Sequence, residues 1–191
     1  MKQFCQLLIM LCITLAISAC SHTSEMPTVR TTHQALPLQL PMQLGQWMHQ
    51  GTIEKADSSR LSRYQFQNNS NLFIDVSLYP LANGWESLSD TQALTRHYSL
   101  LSQQLAQRLQ QKSSALQLSI HGATITDEPN PQLTGELSTD NGQVTLILLS
   151  TYQNHFLRLV STCSTDDRDA RLNAMQQMHH QLLQLLPTKP Q

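Results

Sequence analysis

Two adjacent histidines, His179 and His180, carry side chains that often bind transition metals in proteins. Neighbouring residues on a helix point about 100° apart, and neither histidine has a histidine, cysteine or carboxylate three or four residues away. We therefore expect no metal site at this pair. We interpret both residues as polar helix positions near a C-terminus, where a partly charged imidazole suits the helix dipole.

Three aspartates, Asp166, Asp167 and Asp169, could offer oxygen ligands to calcium. A calcium-binding loop places its ligands at alternating positions around a central glycine, and this segment does not follow that pattern. Carboxylates are also favoured at the positive N-terminal end of a helix. We therefore expect these residues to begin the last helix and not to bind a metal ion.

The motifs of common catalytic sites do not occur in the sequence. There is no H-E-x-x-H, C-x-x-C or G-x-S-x-G, so the chain lacks the motifs typical of zinc peptidases, thiol redox proteins and serine hydrolases. We identify no catalytic, cofactor-binding or metal-binding residue, and we expect the protein not to be an enzyme.

The charge balance limits the kind of partner. The chain has 12 lysines and arginines against 13 aspartates and glutamates, and only 13% of its residues are charged. Without a basic cluster it has no electrostatic footprint for nucleic acid. We expect no nucleic-acid partner and only weak electrostatic steering of other partners.

The beginning of the chain has the layout of a secretory signal peptide. Lys2 supplies a positive charge, residues 4–17 are apolar apart from Gln6 and Thr14, and the run ends in small residues. A transmembrane helix needs about 20 apolar residues, so a retained membrane span is the weaker interpretation. We predict that residues 1–19 are a signal that is removed.

The end of this signal, Ile17-Ser18-Ala19-Cys20, resembles the lipobox of bacterial lipoproteins. The resemblance implies that a diacylglycerol is attached to the sulfur of Cys20, which becomes the acylated N-terminus after cleavage. The alternative is ordinary cleavage after Ala19, which the bulky Ile17 suits poorly. Because two or three acyl chains hold a protein on a membrane almost permanently, we predict membrane attachment through Cys20.

The sorting rule of Gram-negative lipoproteins, which this segment resembles, also implies a destination. Ser21 follows the lipidated cysteine where an aspartate would signal retention in the inner membrane. The resemblance therefore implies a lipid anchor in the outer membrane and a folded part that faces the periplasm. The inner membrane and the cell surface stay open as alternatives.

Cys163 is the cysteine expected to stay free in the mature chain, because Cys5 and Cys12 are lost with the signal. An intramolecular disulfide is then impossible. A position just before a helix can stabilise a thiolate, but the aspartates that follow oppose that charge. We expect a buried or half-buried, inert thiol, with an intermolecular disulfide or redox sensing as the alternative.

The rest of the chain divides into a tether, one domain and a tail. Residues 20–41 are rich in serine, threonine, histidine and proline without an apolar period, which predicts a lipidated N-terminus and flexible tether. Residues 42–187 form a single predicted domain whose first strand is anchored by Trp47, and residues 188–191 are the tail.

Alternating apolar residues predict the strands. Residues 63–66 and 72–79 alternate at period two and form a predicted hairpin. Later strands are separated by the turn signals Asp140-Asn141-Gly142 and Gln153-Asn154. Residues 144–149 are apolar on both faces, which is typical of a central strand covered from both sides.

Two amphipathic helices complete the predicted fold. Ser89 and Gln92 form a capping box before the first helix, and Thr165 caps the second. The predicted buried positions of the first helix are Leu94, Tyr98, Leu101, Leu105 and Leu109. Those of the second are Leu172, Met175, Met178 or His179, Leu182 and Leu186. We predict an α+β fold with a largely antiparallel sheet of about six to seven strands, one strand of which is interrupted near Gly122, and both helices packed on it.

This order of elements resembles the PsbP-like fold, which recurs in small bacterial lipoproteins. The resemblance spans residues 47–186 and lies in the order of elements, not in a residue motif. It implies an accessory or binding module, and it carries over no functional residue.

The loop before the first helix carries the candidate contact residue Trp85. Pro80 and the cap at Ser89 fix the ends of the loop, so the residues between them can protrude. Because aromatic anchors dominate interface energetics, we predict that Trp85, Leu81 and Asn83 contact a partner. The alternative is that the loop folds back as a lid over the sheet edge.

Two functions follow from the sequence. The first is a non-enzymatic binding or accessory module, anchored in the outer membrane, for an envelope protein or complex. The alternative is a carrier of a small ligand or lipid with a pocket between helix and sheet. An exposed Trp85 on a flat surface would favour the first function, and a deep apolar pocket would favour the second.

Overall fold

The computed structural model describes residues 40–54, 60–112, 117–126 and 130–186. The predicted signal, Cys20, nearly all of the tether and the C-terminal tail lie outside these ranges. Within them the chain forms an antiparallel sheet and two helices, which confirms the predicted α+β class.

The strands are β1 Gln43–Leu44, β2 Trp47–Glu54, β3 Arg60–Phe66, β4 Asn69–Pro80, β5 Leu118–Ile120, β6 Thr124–Thr126, β7 Gln132–Thr139, β8 Gln143–Tyr152 and β9 His155–Ser164. The helices are α1 Asp90–Lys112, between β4 and β5, and α2 Arg168–Leu185, after β9. The order across the sheet is β1-β2-β3-β4-β9-β8-β7-β5, and β6 also pairs with β7. Neither of these two described helices is long and apolar enough to span a membrane.

The sheet has nine strands, which corrects the predicted six to seven. The additional strands are short: β1 has 2 residues, and the strand expected around Gly122 is divided into β5 and β6 of 3 residues each. Both β5 and β6 pair with β7. Segments of this length bury too few side chains to leave an apolar alternation in the sequence, so only their backbone pairing reveals them.

The turns that join β7, β8 and β9 have left-handed backbone. Gly142 has a φ of 80° between β7 and β8, and Gln153 and Asn154 have φ of 44° and 61° between β8 and β9. Positive φ at both central residues belongs to a type I′ turn, whose twist matches that of the flanking strands. Both predicted hairpins are confirmed by the antiparallel pairing of these strands.

Strand β8 is buried on both faces, as its continuous apolar run predicts. Leu146 and Leu148 point into one hydrophobic core, while Ile147 and Leu149 point into a second core on the opposite face. All four side chains are at most 1% exposed. The sheet therefore needs a covering layer on each face.

The first core lies between α2 and the sheet. Met175, Met178 and Leu182 are buried and pack with residues from β1 to β4 and from β8 and β9. Trp47 is buried in the same core, so its predicted role as an anchor is confirmed.

The start of α2 differs from the prediction. The Thr165 hydroxyl donates to the carbonyl oxygen of Gly142 at 2.9 Å, and Asp167 takes the N-cap position. The Asp167 carboxylate accepts a hydrogen bond from the Ser164 hydroxyl at 2.7 Å. Thr165 therefore fastens the start of α2 to the turn between β7 and β8 and does not cap the helix.

The second core lies between α1 and the strands β5, β7 and β8. The predicted capping box begins this helix: the Ser89 amide donates to Gln92 Oε1 at 3.1 Å, and the Gln92 amide donates to Ser89 Oγ at 3.3 Å. The box sets where α1 starts, and therefore which side chains of the helix face the sheet.

The buried stripe of α1 follows its predicted spacing. Leu94, Tyr98 and Leu101 are buried, and the two positions nearer the C-terminal end, Leu105 and Leu109, are half-buried. The helix therefore packs closely through its N-terminal half.

Tyr98 fits against a glycine of the sheet. Its hydroxyl donates to the carbonyl oxygen of His121 at 2.9 Å, and its ring lies directly over Gly135. A Cβ atom on Gly135 would stand 2.2 Å from Tyr98 Cε2. Only glycine allows the ring to lie this close to β7.

We predict that Gly135→Ala lowers the free energy of unfolding by about 1–3 kcal/mol, because the added methyl group displaces the Tyr98 ring. Chemical denaturation measures the change. Gly122→Ala is the matched control, since a Cβ there meets no atom within 4 Å, and we expect it to change stability by less than about 0.5 kcal/mol. Equal losses in both variants would contradict the close packing of Tyr98 on Gly135.

Candidate functional site

The loop that carries Trp85 is folded onto the domain. Trp85 is 7% exposed and Leu81 is also buried, while Asn83 is exposed at the tip. The Trp85 amide donates to the Ala82 carbonyl oxygen at 3.0 Å, and the Leu88 amide donates to the Trp85 carbonyl oxygen at 3.0 Å. The expected protrusion of Trp85 and Leu81 is therefore wrong, and the alternative, a lid over the sheet, describes the loop.

Trp85 is buried because it packs on a cluster of aromatic rings. His97 of α1 stacks on Phe156 of β9 with ring centroids 4.3 Å apart, and Trp85 meets Phe156 edge-on at 6.1 Å. The Arg96 guanidinium lies 4.8 Å from the centroid of the Trp85 ring. We call Tyr79, Trp85, His97 and Phe156 the His97 cluster.

The ionisable members of the His97 cluster are neutral. The Tyr79 hydroxyl lies 2.6 Å from His97 Nε2. Burial, assisted by the positive charge of Arg158, lowers the pKa of His97 to about 4, and burial raises the pKa of Tyr79 to about 12. A general acid or base works best with a pKa near the ambient pH, so this pair suits packing and not proton transfer.

Trp85→Ala is expected to lower the free energy of unfolding by about 3–5 kcal/mol, because it leaves a cavity beneath the loop. Thermal or chemical denaturation measures the loss. The exposed neighbour Glu86→Ala is the control within the same loop and should change stability by less than about 0.5 kcal/mol. A melting temperature unchanged by Trp85→Ala would show that the ring is not part of the core.

The two histidines of α2 differ in their surroundings. His179 is buried, with its Nε2 atom 2.7 Å from the Ser150 hydroxyl of β8, whereas His180 is exposed and lies 2.9 Å from Gln184 Nε2. Burial, followed by the nearby His180, lowers the pKa of His179 to about 4. The expected partly charged imidazole is therefore wrong for His179, which is a neutral part of the first core.

We predict that the protein loses stability as the pH falls from about 6.5 to about 4. The pKa values of His97 and His179 drop from 6.5 to about 4 on folding, so the unfolded state binds more protons in this window. Each histidine contributes up to about 1.4 kcal/mol per pH unit, and this contribution is fully present above pH 6.5. Denaturation at stepped pH measures the slope, which His179→Gln should reduce and the control His180→Gln should largely preserve. Identical slopes in both variants would contradict the assignment.

A histidine, a serine and a glutamate meet at the other edge of the sheet, a grouping that the sequence analysis missed. His121 Nε2 lies 2.7 Å from the Ser138 hydroxyl and 3.8 Å from a Glu136 carboxylate oxygen. A hydrolytic triad needs the serine and the acid on different ring nitrogens, whereas both meet Nε2 here. The other Glu136 oxygen accepts a hydrogen bond from Arg168 at 2.7 Å. The arrangement is therefore an ion-pair cluster and not a nucleophilic site.

The other candidate site residues from the sequence, Cys163 and the aspartates near the start of α2, have contacts typical of structural residues. Cys163 is buried and its pKa is raised, chiefly by that burial, as expected for an inert thiol. Asp167 accepts a hydrogen bond from Ser164, and Asp169 pairs with Arg168 at the start of α2. Among the described residues, no three histidines, cysteines or carboxylates lie close enough together to hold a metal ion.

One half of the sheet is less covered on its α1 side. Because α1 packs on β5, β7 and β8, it leaves the same face of β2, β3 and β4 uncovered by that helix, although Ser77 on this face is buried. We call this surface the open face. Register and alternation place on it Gly51, Ile53, Leu61, Arg63, Gln65, Phe73, Asp75 and Ser77, with Arg158 of β9 at its border.

The open face combines apolar side chains with one closed ion pair. Ile53 is 62% exposed, and Leu61 opposite it is half-buried. Arg63 donates to both carboxylate oxygens of Asp75, at 2.7 and 2.8 Å, and lies 5.1 Å from the Phe73 ring centroid. A shallow cleft of about 340 Å³ runs between β2 and this ion pair.

A second cleft lies between α2 and the β1–β2 edge, with a volume of about 320 Å³. Its apolar wall includes Trp47 and Phe66, whose rings meet edge-on at 5.2 Å, and Met178 of α2. Side-chain amides of Gln177 and Gln181 line its rim. This cleft offers room between a helix and the sheet.

In the part of the chain that the structure describes, two helices and an antiparallel sheet with one partly uncovered face define an α+β domain. No family model and no curated protein matches the chain. Among solved structures it is similar to cyanobacterial PsbP (CyanoP) from Synechocystis sp. PCC 6803, with 11% identity and a TM-score of 0.49 over 71% of this chain and 80% of that chain. A likeness at this identity concerns the fold alone.

Proposed function

We propose that this chain is an outer-membrane-anchored periplasmic lipoprotein whose domain is a non-enzymatic binding module for an envelope protein. The observation that carries the proposal is the open face, where Ile53 is 62% exposed beside the half-buried Leu61. Exposed apolar side chains grouped on one surface are typical of protein interaction sites.

The chemistry of the domain supports binding over catalysis. The imidazoles of the half-buried His97 and the buried His179 are neutral and hydrogen-bonded, and His121 meets Ser138 and Glu136 through the same ring nitrogen. The two imidazoles with lowered pKa values suit packing, and His121 lacks the triad arrangement in which serine and acid meet different ring nitrogens. Binding of a partner to the open face, in contrast, requires no reactive group.

The cleft between α2 and the β1–β2 edge favours the small-ligand alternative. Its volume of about 320 Å³ is at the lower end of the range for ligand pockets. Trp47, its largest aromatic ring, is nevertheless buried in the first core and offers little surface to a ligand. We therefore rank the carrier function second.

Cys20→Ala tests the anchor. The variant should lose partition into a detergent or membrane phase, because the acyl chains supply the attachment. Cell fractionation and detergent-phase separation measure the change, and mass spectrometry of the wild-type chain should show the mass of the added lipid. A variant that partitions like the wild type would overturn the lipoprotein assignment.

Site-specific photocrosslinking in intact envelopes tests the open face. A crosslinking side chain at Ile53 should give an adduct with one protein of defined mass, while the same side chain at Gln107, exposed on α1, should give none. A third position at Gln181, on the rim of the second cleft, addresses the carrier alternative. Adducts from Gln107 as strong as those from Ile53 would contradict the proposal.

A further inference from the structure

Two asparagines in the chain precede a glycine: Asn83-Gly84 in the loop that carries Trp85, and Asn141-Gly142 between β7 and β8. An asparagine in such a pair can lose its side-chain amide, because the backbone nitrogen of the glycine can attack the side-chain carbonyl carbon. Glycine has no Cβ atom to obstruct this approach. The hydrogen bonds around each pair therefore decide whether the reaction proceeds in the folded protein.

Asn83 and Gly84 are the two central residues of a tight turn. The Trp85 amide closes the turn by donating to the Ala82 carbonyl oxygen at 3.0 Å, and Gly84, but not Asn83, has a positive φ, of 80°. This is the pattern of a type II turn, in which the N–H of the third residue points away from the closing hydrogen bond. Within the described residues the Gly84 amide donates to no acceptor, and Asn83 and Gly84 are both exposed.

The second pair is held by hydrogen bonds at both reacting groups. The Gly142 amide donates to the Thr139 carbonyl oxygen at 3.0 Å. The side-chain oxygen of Asn141 accepts hydrogen bonds from the Thr139 hydroxyl at 2.5 Å and from the Gln143 amide at 3.2 Å. A hydrogen-bonded backbone amide gives up its proton mainly when the bond opens, so this turn slows attack by the Gly142 nitrogen.

We propose that Asn83 is a site of spontaneous deamidation in the folded protein and that Asn141 is protected. The deprotonated Gly84 nitrogen forms a bond to the side-chain carbonyl carbon of Asn83, the bond from that carbon to the amide nitrogen breaks, and the nitrogen leaves with a proton as ammonia. Water then opens the resulting five-membered succinimide at either carbonyl to give aspartate or isoaspartate. The reaction consumes one water, releases one ammonia and does not depend on the proposed function.

Both products change the tip of the loop. Each carries a carboxylate where the Asn83 side chain was neutral. Isoaspartate also leads the main chain through the former side chain, which adds a methylene group between residues 83 and 84. The turn that brings the Trp85 amide to the Ala82 carbonyl oxygen is then too long for this hydrogen bond. The isoaspartate form therefore holds Trp85 less firmly against Phe156, whereas the aspartate form keeps the turn.

Ageing of the purified protein at mildly alkaline pH tests the assignment, and Asn141 is the internal control. Peptide mapping by mass spectrometry should show Asn83 converting at least about tenfold faster than Asn141, because the Gly142 amide reacts only when its hydrogen bond opens. In denaturant the two rates should become similar, since the turns are then lost. Equal rates in the folded protein, a faster reaction at Asn141, or a difference that persists in denaturant would overturn the proposal.

Two variants separate the added charge from the longer backbone. Freshly prepared Asn83→Asp has the charge without the methylene group and should match fresh wild type in melting temperature and tryptophan fluorescence. Asn83→Gln should stay unmodified on ageing, because attack on its side chain would require a less favourable six-membered ring. Aged wild type, with isoaspartate at residue 83 quantified by an isoaspartate-specific methyltransferase, should melt at a lower temperature than aged Asn83→Gln. Equal melting temperatures would overturn the proposed effect on the loop.

Discussion

The fold depends on a strand that must be kept from water on both faces. The apolar run of β8 places Leu146 and Leu148 in one core and Ile147 and Leu149 in the other. A helix is needed on each side, but the two helices cover different parts of the sheet. α2 shares its core with β1 to β4, β8 and β9, whereas α1 lies over β5, β7 and β8. The accessible half of the sheet follows from this offset.

Local signals in the sequence predicted most of the fold because their physics is local. The capping box of Ser89 and Gln92, the positive-φ turn at Gln153 and Asn154 and the apolar run of β8 each act within a few residues. The burial of Trp85 depends instead on Phe156, which lies on β9, a strand distant from Trp85 in the sequence. Turn-rich composition reports where a loop lies in the chain and not what it packs against.

The candidate site was less accessible to sequence reasoning than the fold. No sequence pattern around Arg158 or Arg171 indicates what their side chains contact. Only the folded structure shows it. Arg171 is buried in the first core, where it donates to Ser161 Oγ at 3.0 Å and lies 5.8 Å from the Trp47 ring centroid. Arg158 donates to the Ser77 hydroxyl at 2.9 Å, and its buried Nε atom has no hydrogen-bond partner. The first guanidinium is thus satisfied within the fold, and the second is not.

The edges of the sheet have a consequence for neighbouring copies of the chain. β1 has 2 residues and β5 and β6 have 3 each, although β4 has 12. The part of β2 beyond β1 is distorted by a register shift between His49 and Gly51. Long, regular edges allow sheets of different molecules to join through their backbones. Short and bulged edges oppose such growth of the sheet from one molecule to the next.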